Sequence, residues 1–419
     1  MLLKSNSNLS KSGMRMKTVF TTLGKIKIRR NRLYDQREKK YFYPLDEELD
    51  IGRSQTSKSL ARKISLINIF VPFDHGVKFI KDLMGFDIPK KILQSVSYRI
   101  GATLTKYHQQ ELTSIENIKL LESNPERVDV EYFLTDGGQT PLLEKVESPE
   151  LTKSASKAQK KSINVSNSPK KNTRQYRETK FGLFFTDKDI IKTTSKAGNE
   201  RVEIKNKRFV ASLNHGLDHF KKAVQKASRL HKTFRAKIIV FISDGSEWCK
   251  TIQRDVFPGA VRILDFYHAS EHLWQAAIMF FGDANKADYT KWAKPLEDLL
   301  WQGNIVKALA IIKDTCTSTR KDQTPLLNLY NYYKGNEHAM RYKEYRDKGY
   351  FIGSGAIEST VKYILTTRFK QTGCHWQLDN AESLIWLRCK YFEGRWAEFW
   401  DNMNYRAFLK GENVYDLVA

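Results

Sequence analysis

Two apolar runs set the frame for this chain. "AKIIVFISDG" carries Asp244 at its end, and "AVRILDFYH" carries Asp265, with the helix-like "WCKTIQRDVF" between them. Short runs rich in Ile, Val and Phe, bounded by polar breaks, read as buried strands. Strands that alternate with helices and carry acids at their ends gather carboxylates into one cleft of a mixed α/β sheet. A third acid, Asp136, lies in "VDVEYFLTDGGQTPLLEKVE". That stretch alternates with period two up to Asp136. Gly137-Gly138 then predicts a turn, so the stretch reads as a β-hairpin with Asp136 at a strand end.

The flanking sequence divides by pattern. Val19, Leu23, Ile26 and Ile28 around Gly24 predict a small hairpin within residues 17–44. Val77, Ile80 and Leu83 predict one short helix, followed by a turn at Gly85. Asp87 is the expected N-cap, ahead of Pro89, of a second helix with Ile92, Val96 and Ile100 inward. Lys90, Lys91, Arg99 and Lys106 fall on or near its other faces. A helix pair with a short glycine turn and a basic second helix fits a helix-turn-helix DNA reader, which is favoured over the alternative of a plain helical hairpin.

Residues 151–177 hold eight Lys and Arg and no acid, with many Ser and Asn, which predicts a mobile basic loop. "ETKFGLFFT" predicts a strand, residues 209–232 a helix, and 270–345 a run of helices. Gly353-Ser354-Gly355 opens a further helix with Glu358 in its first turn.

The chain carries 71 Lys and Arg against 47 Asp and Glu, a net charge of +24. That excess points to a polyanionic partner, nucleic acid above all. Cys249, Cys316, Cys374 and Cys389 contain no C-x-x-C pair, so neither a disulfide framework nor a zinc ribbon is expected. The N-terminus lacks the apolar core of a signal peptide and no apolar run reaches membrane-spanning length. A cytoplasmic, nucleoid-associated protein is expected.

Each acid taken alone also has a structural reading: Asp136 and Asp244 as turn residues before glycine, Glu358 as a helix-start acid. Two aspartates and a glutamate from separate elements also suit two hard divalent ions, since Mg²⁺ prefers carboxylate oxygens. An ion pair about 3.5–4 Å apart clamps both the attacking and the leaving oxygen of a phosphodiester. The stretch "LDFYHASEHLW" offers a rival, because His268, Glu271 and His272 have the H-x-x-E-H spacing of inverted zinc peptidases. Asp265 has no place in that motif. A DNA-binding regulator that uses only the helix pair is the second rival.

The longer stretches carry a resemblance. "FISDGSEWCKTIQRDVFPGAVRILDFYHASEHLW" and "GYFIGSGAIESTVKYILTTRFKQTGCHWQLDNAESLIWLRCKYFEGRWAEFW" closely resemble the ISKra-type insertion-sequence transposases, DDE enzymes related to the mutator-like superfamily. "VEYFLTDGGQTPL" with "RETKFGLFF" resembles the same family's first catalytic strands, and "FYPLDEELDI" its N-terminal region. The resemblance spans roughly residues 20–400. It implies an α/β fold: an RNase H-like core interrupted by an all-α insertion and preceded by a helix-turn-helix region.

It further implies a catalytic, metal-binding triad of Asp136, Asp244 and Glu358 holding two Mg²⁺ or Mn²⁺ ions. Asp265 and His268 would be supporting residues of a D-x-x-H element. Double-stranded DNA, at element ends and target, would be the partner, bound by a homodimer or higher oligomer. Lys90, Lys91, Arg99, Arg368 and Lys370 are the expected DNA contacts. Relatives usually carry a cysteine pair before "PLDE"; "LYDQREKKYFYPLD" has none, so no zinc ribbon is expected in 1–50. The expected divisions are 1–50 (hairpin region), 51–125 (helix-turn-helix), 126–268 (first part of the core), 269–345 (helical insertion) and 346–419 (final core helices and C-terminus).

Overall fold

The strand that carries Asp136 is the middle member of a five-stranded mixed sheet. The structure, a computed structural model, describes residues 8–49, 51, 54–114, 128–145, 172–194, 200–213, 215–231, 233–318 and 322–405. It opens with a three-stranded antiparallel sheet: β1 (Leu9–Thr21), β2 (Gly24–Asp35) and β3 (Lys40–Phe42). Helices α1 (Pro44–Glu48), α2 (Lys58–Asn68), α3 (Phe73–Met84) and α4 (Lys90–Ser114) follow. Next come β4 (Val128–Lys145), β5 (Asn172–Thr186), the ribbon β6 (Ile190–Thr194) and β7 (Glu200–Ile204), then β8 (Arg208–Leu213), α5 (Gly216–Leu230), β9 (Ala236–Ser243), α6 (Glu247–Val256) and β10 (Val261–Leu264).

The central sheet has the order β10-β9-β4-β5-β8. β4, β5 and β8 form an antiparallel set, while β9 and β10 run parallel to β4. Helices α7 (Phe266–Phe281), α8 (Lys286–Trp301), α9 (Ile305–Thr317), α10 (Thr324–Lys334) and α11 (Tyr342–Asp347) form the expected helical run. The chain then returns through α12 (Gly355–Val361), a π-helical turn at Lys362–Thr366, α13 (Thr367–Phe369), α14 (Leu378–Phe392) and α15 (Trp396–Asn402).

Alternation along the strands decides what packs on each face. Phe133, Phe184 and Phe241 point to one side, against Phe220 and Val224 of α5 and Cys249 and Ile252 of α6. Tyr132, Leu134, Leu183, Phe185 and Ile242 point to the other, into a large cluster shared with α2–α4, the helical run and α14. Each such aromatic or aliphatic side chain contributes roughly 1.5–3 kcal/mol on burial. The N-terminal helices are therefore built into the main core. Gly101 of α4 meets α14 so closely that a Cβ would lie 2.3 Å from the Ser383 carbonyl oxygen.

Four local expectations are corrected. β4 is one continuous strand through Gly137-Gly138, because β5 pairs with it from Glu131 to Lys145, and no turn forms there. Residues 209–213 are strand, not helix: Phe209, Val210, Ala211 and Leu213 are all buried as β8, and the helical period begins after Gly216, whose φ is +72°. Residues 172–177 belong to β5 instead of a loop, and 151–171 lie outside the described residues. Asp87 is not the N-cap of α4, which starts at Lys90 directly after Pro89; it pairs instead with Lys81 at 3.0 Å.

The four cysteines are buried free thiols. Among the described residues, no helix is long and apolar enough to cross a membrane.

Candidate active site

The register of the sheet brings the acids together. β9 pairs with β4 only as far as Leu134 opposite Ile242, so Asp136, mid-strand in β4, lies just past the point where its parallel neighbour stops. Asp244 follows the last residue of β9, and Asp265 the last residue of β10. The chain leaves Asp244 through Gly245, at φ +83°, where a Cβ would also lie 2.6 Å from Leu264 Cδ1. Asp244 Oδ1 accepts the Ser246 N–H at 2.9 Å.

Asp265 is the N-cap of α7: its Oδ1 accepts the Tyr267 N–H at 2.8 Å, and its own N–H donates to Ser243 O at 2.9 Å. Glu358 sits in the first turn of α12. Gly138 admits that segment, since a Cβ there would lie 2.6 Å from Leu365 Cδ2 and 2.8 Å from Val361 Cγ1. Gly138 thus serves this close approach rather than a turn, while a Cβ at Gly137 would lie 2.7 Å from Glu178 Oε1.

Asp244 and Glu358 both lie within electrostatic reach of Asp136. Burial pushes the Asp136 carboxyl up to about 6. The Gly137 N–H, donating at 2.7 Å, opposes that rise, the charges of Asp244 and Glu358 add to it, and His268 opposes it. Asp265 is almost wholly buried, and burial raises its carboxyl, with Glu358 adding to the rise. Ser354, also buried, links the two: its Oγ lies 2.5 Å from Glu358 Oε1 and hydrogen-bonds Asp265 Oδ2.

His268 faces the same cleft. Its Nε2 lies 3.1 Å from His272 Nε2, and the His272 ring packs on Tyr332 with centroids 4.5 Å apart. Tyr332 Oη donates to the Asp244 carbonyl at 2.7 Å. Burial, then the neighbouring His268, lowers His272 below the usual imidazole range. A cavity of about 350 Å³ is lined by Asp244, Lys250, His268, His272, Tyr332 and Asn336. The helical run thus supplies one wall of the site through Tyr332 and Asn336. Ser354 was legible as the polar residue between two glycines at a helix start; Tyr332 left no signal among the many tyrosines of its region.

The expected DNA contacts divide. Lys91 and Arg99 are exposed and line a cavity of about 510 Å³ between α4 and residues 54–56. Lys90 is exposed and paired with Asp74 at 2.8 Å. Lys370 is exposed, whereas the Lys106 side chain lies outside the described residues. Arg368 is a correction, because it is fully buried. Its Nε donates to Asn68 O at 2.8 Å, and its guanidinium stacks 4.8 Å from the Trp376 ring centroid. It ties α2 to the segment after Glu358 and cannot reach a phosphate at the surface.

Residues 7–110 match the model of an uncharacterised protein family, UPF0236. No curated protein matches the chain. The matched stretch covers the N-terminal sheet and most of α1–α4, and ends before β4 and all five cleft residues.

The donor chemistry of the cleft fits hard divalent cations. Three carboxylates from three elements converge, and Asp136 carries an elevated pKa that a cation would relieve. Among the described residues, no three His, Cys, Asp or Glu side chains are grouped so as to hold one ion together. Mg²⁺ does not require that, since it keeps several waters and takes one or two protein carboxylates.

Proposed function

We propose that this chain is a DNA transposase of the DDE type, which cuts the ends of a mobile element and joins them to target DNA. The observation that carries the reading is the convergence of Asp136, Asp244 and Glu358 on one cleft from β4, the end of β9 and the start of α12. An antiparallel set of three strands extended by two parallel ones, followed by a helical run and then the glutamate helix, supports an RNase H-like core with an all-α insertion. The net charge of +24 supports a DNA partner.

In this reading Asp136, Asp244 and Glu358 would hold the divalent ions. Bound Mg²⁺ or Mn²⁺ supplies charge neutralisation and an activated water or 3′-hydroxyl. The protein's own part is positioning. Ser354 and Asp265 fix the Glu358 carboxylate, Gly138 lets its helix close on β4, and His268 is placed to donate a hydrogen bond to a phosphate oxygen. Assembly on paired DNA ends calls for a homodimer or higher oligomer.

The test is cleavage of duplex DNA carrying candidate element ends, with Mg²⁺ or Mn²⁺. Asp136→Ala, Asp244→Ala and Glu358→Ala are each expected to reduce cleavage by ~10²-fold or more while DNA binding persists. Cleavage that survives chelation, or that is unchanged in all three variants, would refute the proposal.

A further inference from the structure

The β1–β2 ribbon carries its cations in two sets. On the face of β2 that holds Ile28 and Arg30, two of the cations share an internal carboxylate. Arg30 Nη1 and Lys17 Nζ both meet the buried carboxylate of Asp46, the latter at 3.4 Å, and the Arg30 guanidinium lies 3.9 Å from the Tyr43 ring centroid. Asp46 belongs to the "PLDE" stretch, so this pairing fastens the ribbon to α1.

The opposite face of β2 presents Lys25, Lys27 and Arg29 at every second position, all exposed. Same-face neighbours on a strand stand about 7 Å apart, so the three form a straight row. Their cross-strand partners are Phe20, Thr18 and Met16, none of them acidic. Among the described residues these three cations make no ion pair or side-chain hydrogen bond, whereas Lys17, Arg30 and Arg32 of the same ribbon do. Met14 and Met16, 44% and 58% exposed, border the row on β1.

We infer that this ribbon face is a nucleic-acid interface, and that Lys25, Lys27 and Arg29 bind the phosphate backbone of duplex DNA without reading its sequence. Charge complementarity selects the partner: three unpaired cations in a row, with no acid opposite, match a line of phosphates. The inference rests on the proposed function only in the choice of DNA. It concerns a surface carried by β2, not the acids of the cleft.

The test uses the full chain and a 30-base-pair duplex of arbitrary sequence in chelator, so binding is read without cleavage. Fluorescence anisotropy across a salt series gives the slope of log affinity against log salt. The triple variant Lys25→Gln, Lys27→Gln, Arg29→Gln should lower the magnitude of that slope by about 2.7, since each phosphate contact contributes about 0.9. A charge-matched control on the helical run, Lys291→Gln, Lys307→Gln, Lys313→Gln, should leave it near the wild-type value, and Lys25→Arg, Lys27→Arg, Arg29→Lys should retain it. An unchanged slope in the first variant, or an equal fall in the control, would overturn the inference. So would loss of binding to phosphatidylserine vesicles with duplex binding intact, which would assign the face to a membrane surface.

Discussion

Asp265 and Glu358 share one hydroxyl, that of Ser354, which stands between the two carboxyl groups. A hydroxyl has one hydrogen, so it cannot donate to two ionised carboxylates at once. Burial shifts the Asp265 carboxyl upward, toward its protonated form, the only one in which it could donate to Ser354 and leave the Ser354 hydrogen for Glu358. Ser354→Ala should therefore lower cleavage by about 10–100-fold, as loss of an orienting partner does. Asp265→Asn, which still donates a hydrogen bond, should keep more activity than Asp265→Ala. Equal loss in both Asp265 variants, measured as single-turnover cleavage, would show that donation is not its role.

Gly138 and Gly355 make a matched pair of substitutions. Alanine at Gly138 would press on Val361 and Leu365 and move the helix that carries Glu358, whereas a Cβ at Gly355 meets nothing within 4 Å. Gly138→Ala should cost about 1–3 kcal/mol and most of the cleavage activity; Gly355→Ala should be close to neutral in both. Thermal melts and cleavage assays on the two variants decide the point.

Asp244, Asp265 and Glu358 were legible because each sits at an element boundary that short-range signals mark: an apolar run ending in an acid, or a helix entered through glycines. Asp136 was legible as an acid of the cleft but misread as a strand end. Its two glycines answer to Leu365, Val361 and Glu178, contacts distant in sequence that leave no local trace. β8 failed for a related reason: "FVASL" is apolar on both faces and merges with the helical pattern after it. Arg368 carries a surface-like residue type into the core, and only the fold reveals Asn68 and Trp376 as its partners.

Glu131 gives the fold a pH dependence away from the cleft. It is 3% exposed, and burial, with Asp189 adding, pushes its carboxyl from 4.5 up to about 8. A folded-state pKa above the unfolded value means the group's contribution is fully present below about pH 4.5 and is lost as pH rises through 8. Glu131→Gln should remove that loss, so the variant gains on wild type by an amount on the order of a few kcal/mol as pH goes from 5 to 9. Parallel denaturation curves for the two proteins over that range would contradict the assignment.

Arg368 and Lys370 should separate stability from binding. Arg368→Ala removes a buried guanidinium and leaves Asn68 O without its donor, at a cost of about 2–4 kcal/mol. Lys370→Ala, at an exposed position, should leave the melting temperature unchanged and weaken DNA binding only modestly. Urea denaturation with anisotropy on both variants measures the two effects independently.

The central claim is that three carboxylates form one metal-dependent cleft, and a crystal soaked with Mn²⁺ and examined by anomalous scattering tests it most directly. The account predicts manganese bound by Asp136, Asp244 and Glu358, with a weaker second peak strengthening when duplex DNA is present. Anomalous density confined to His268 and His272, or a cleft that stays empty at millimolar Mn²⁺ with DNA bound, would contradict it.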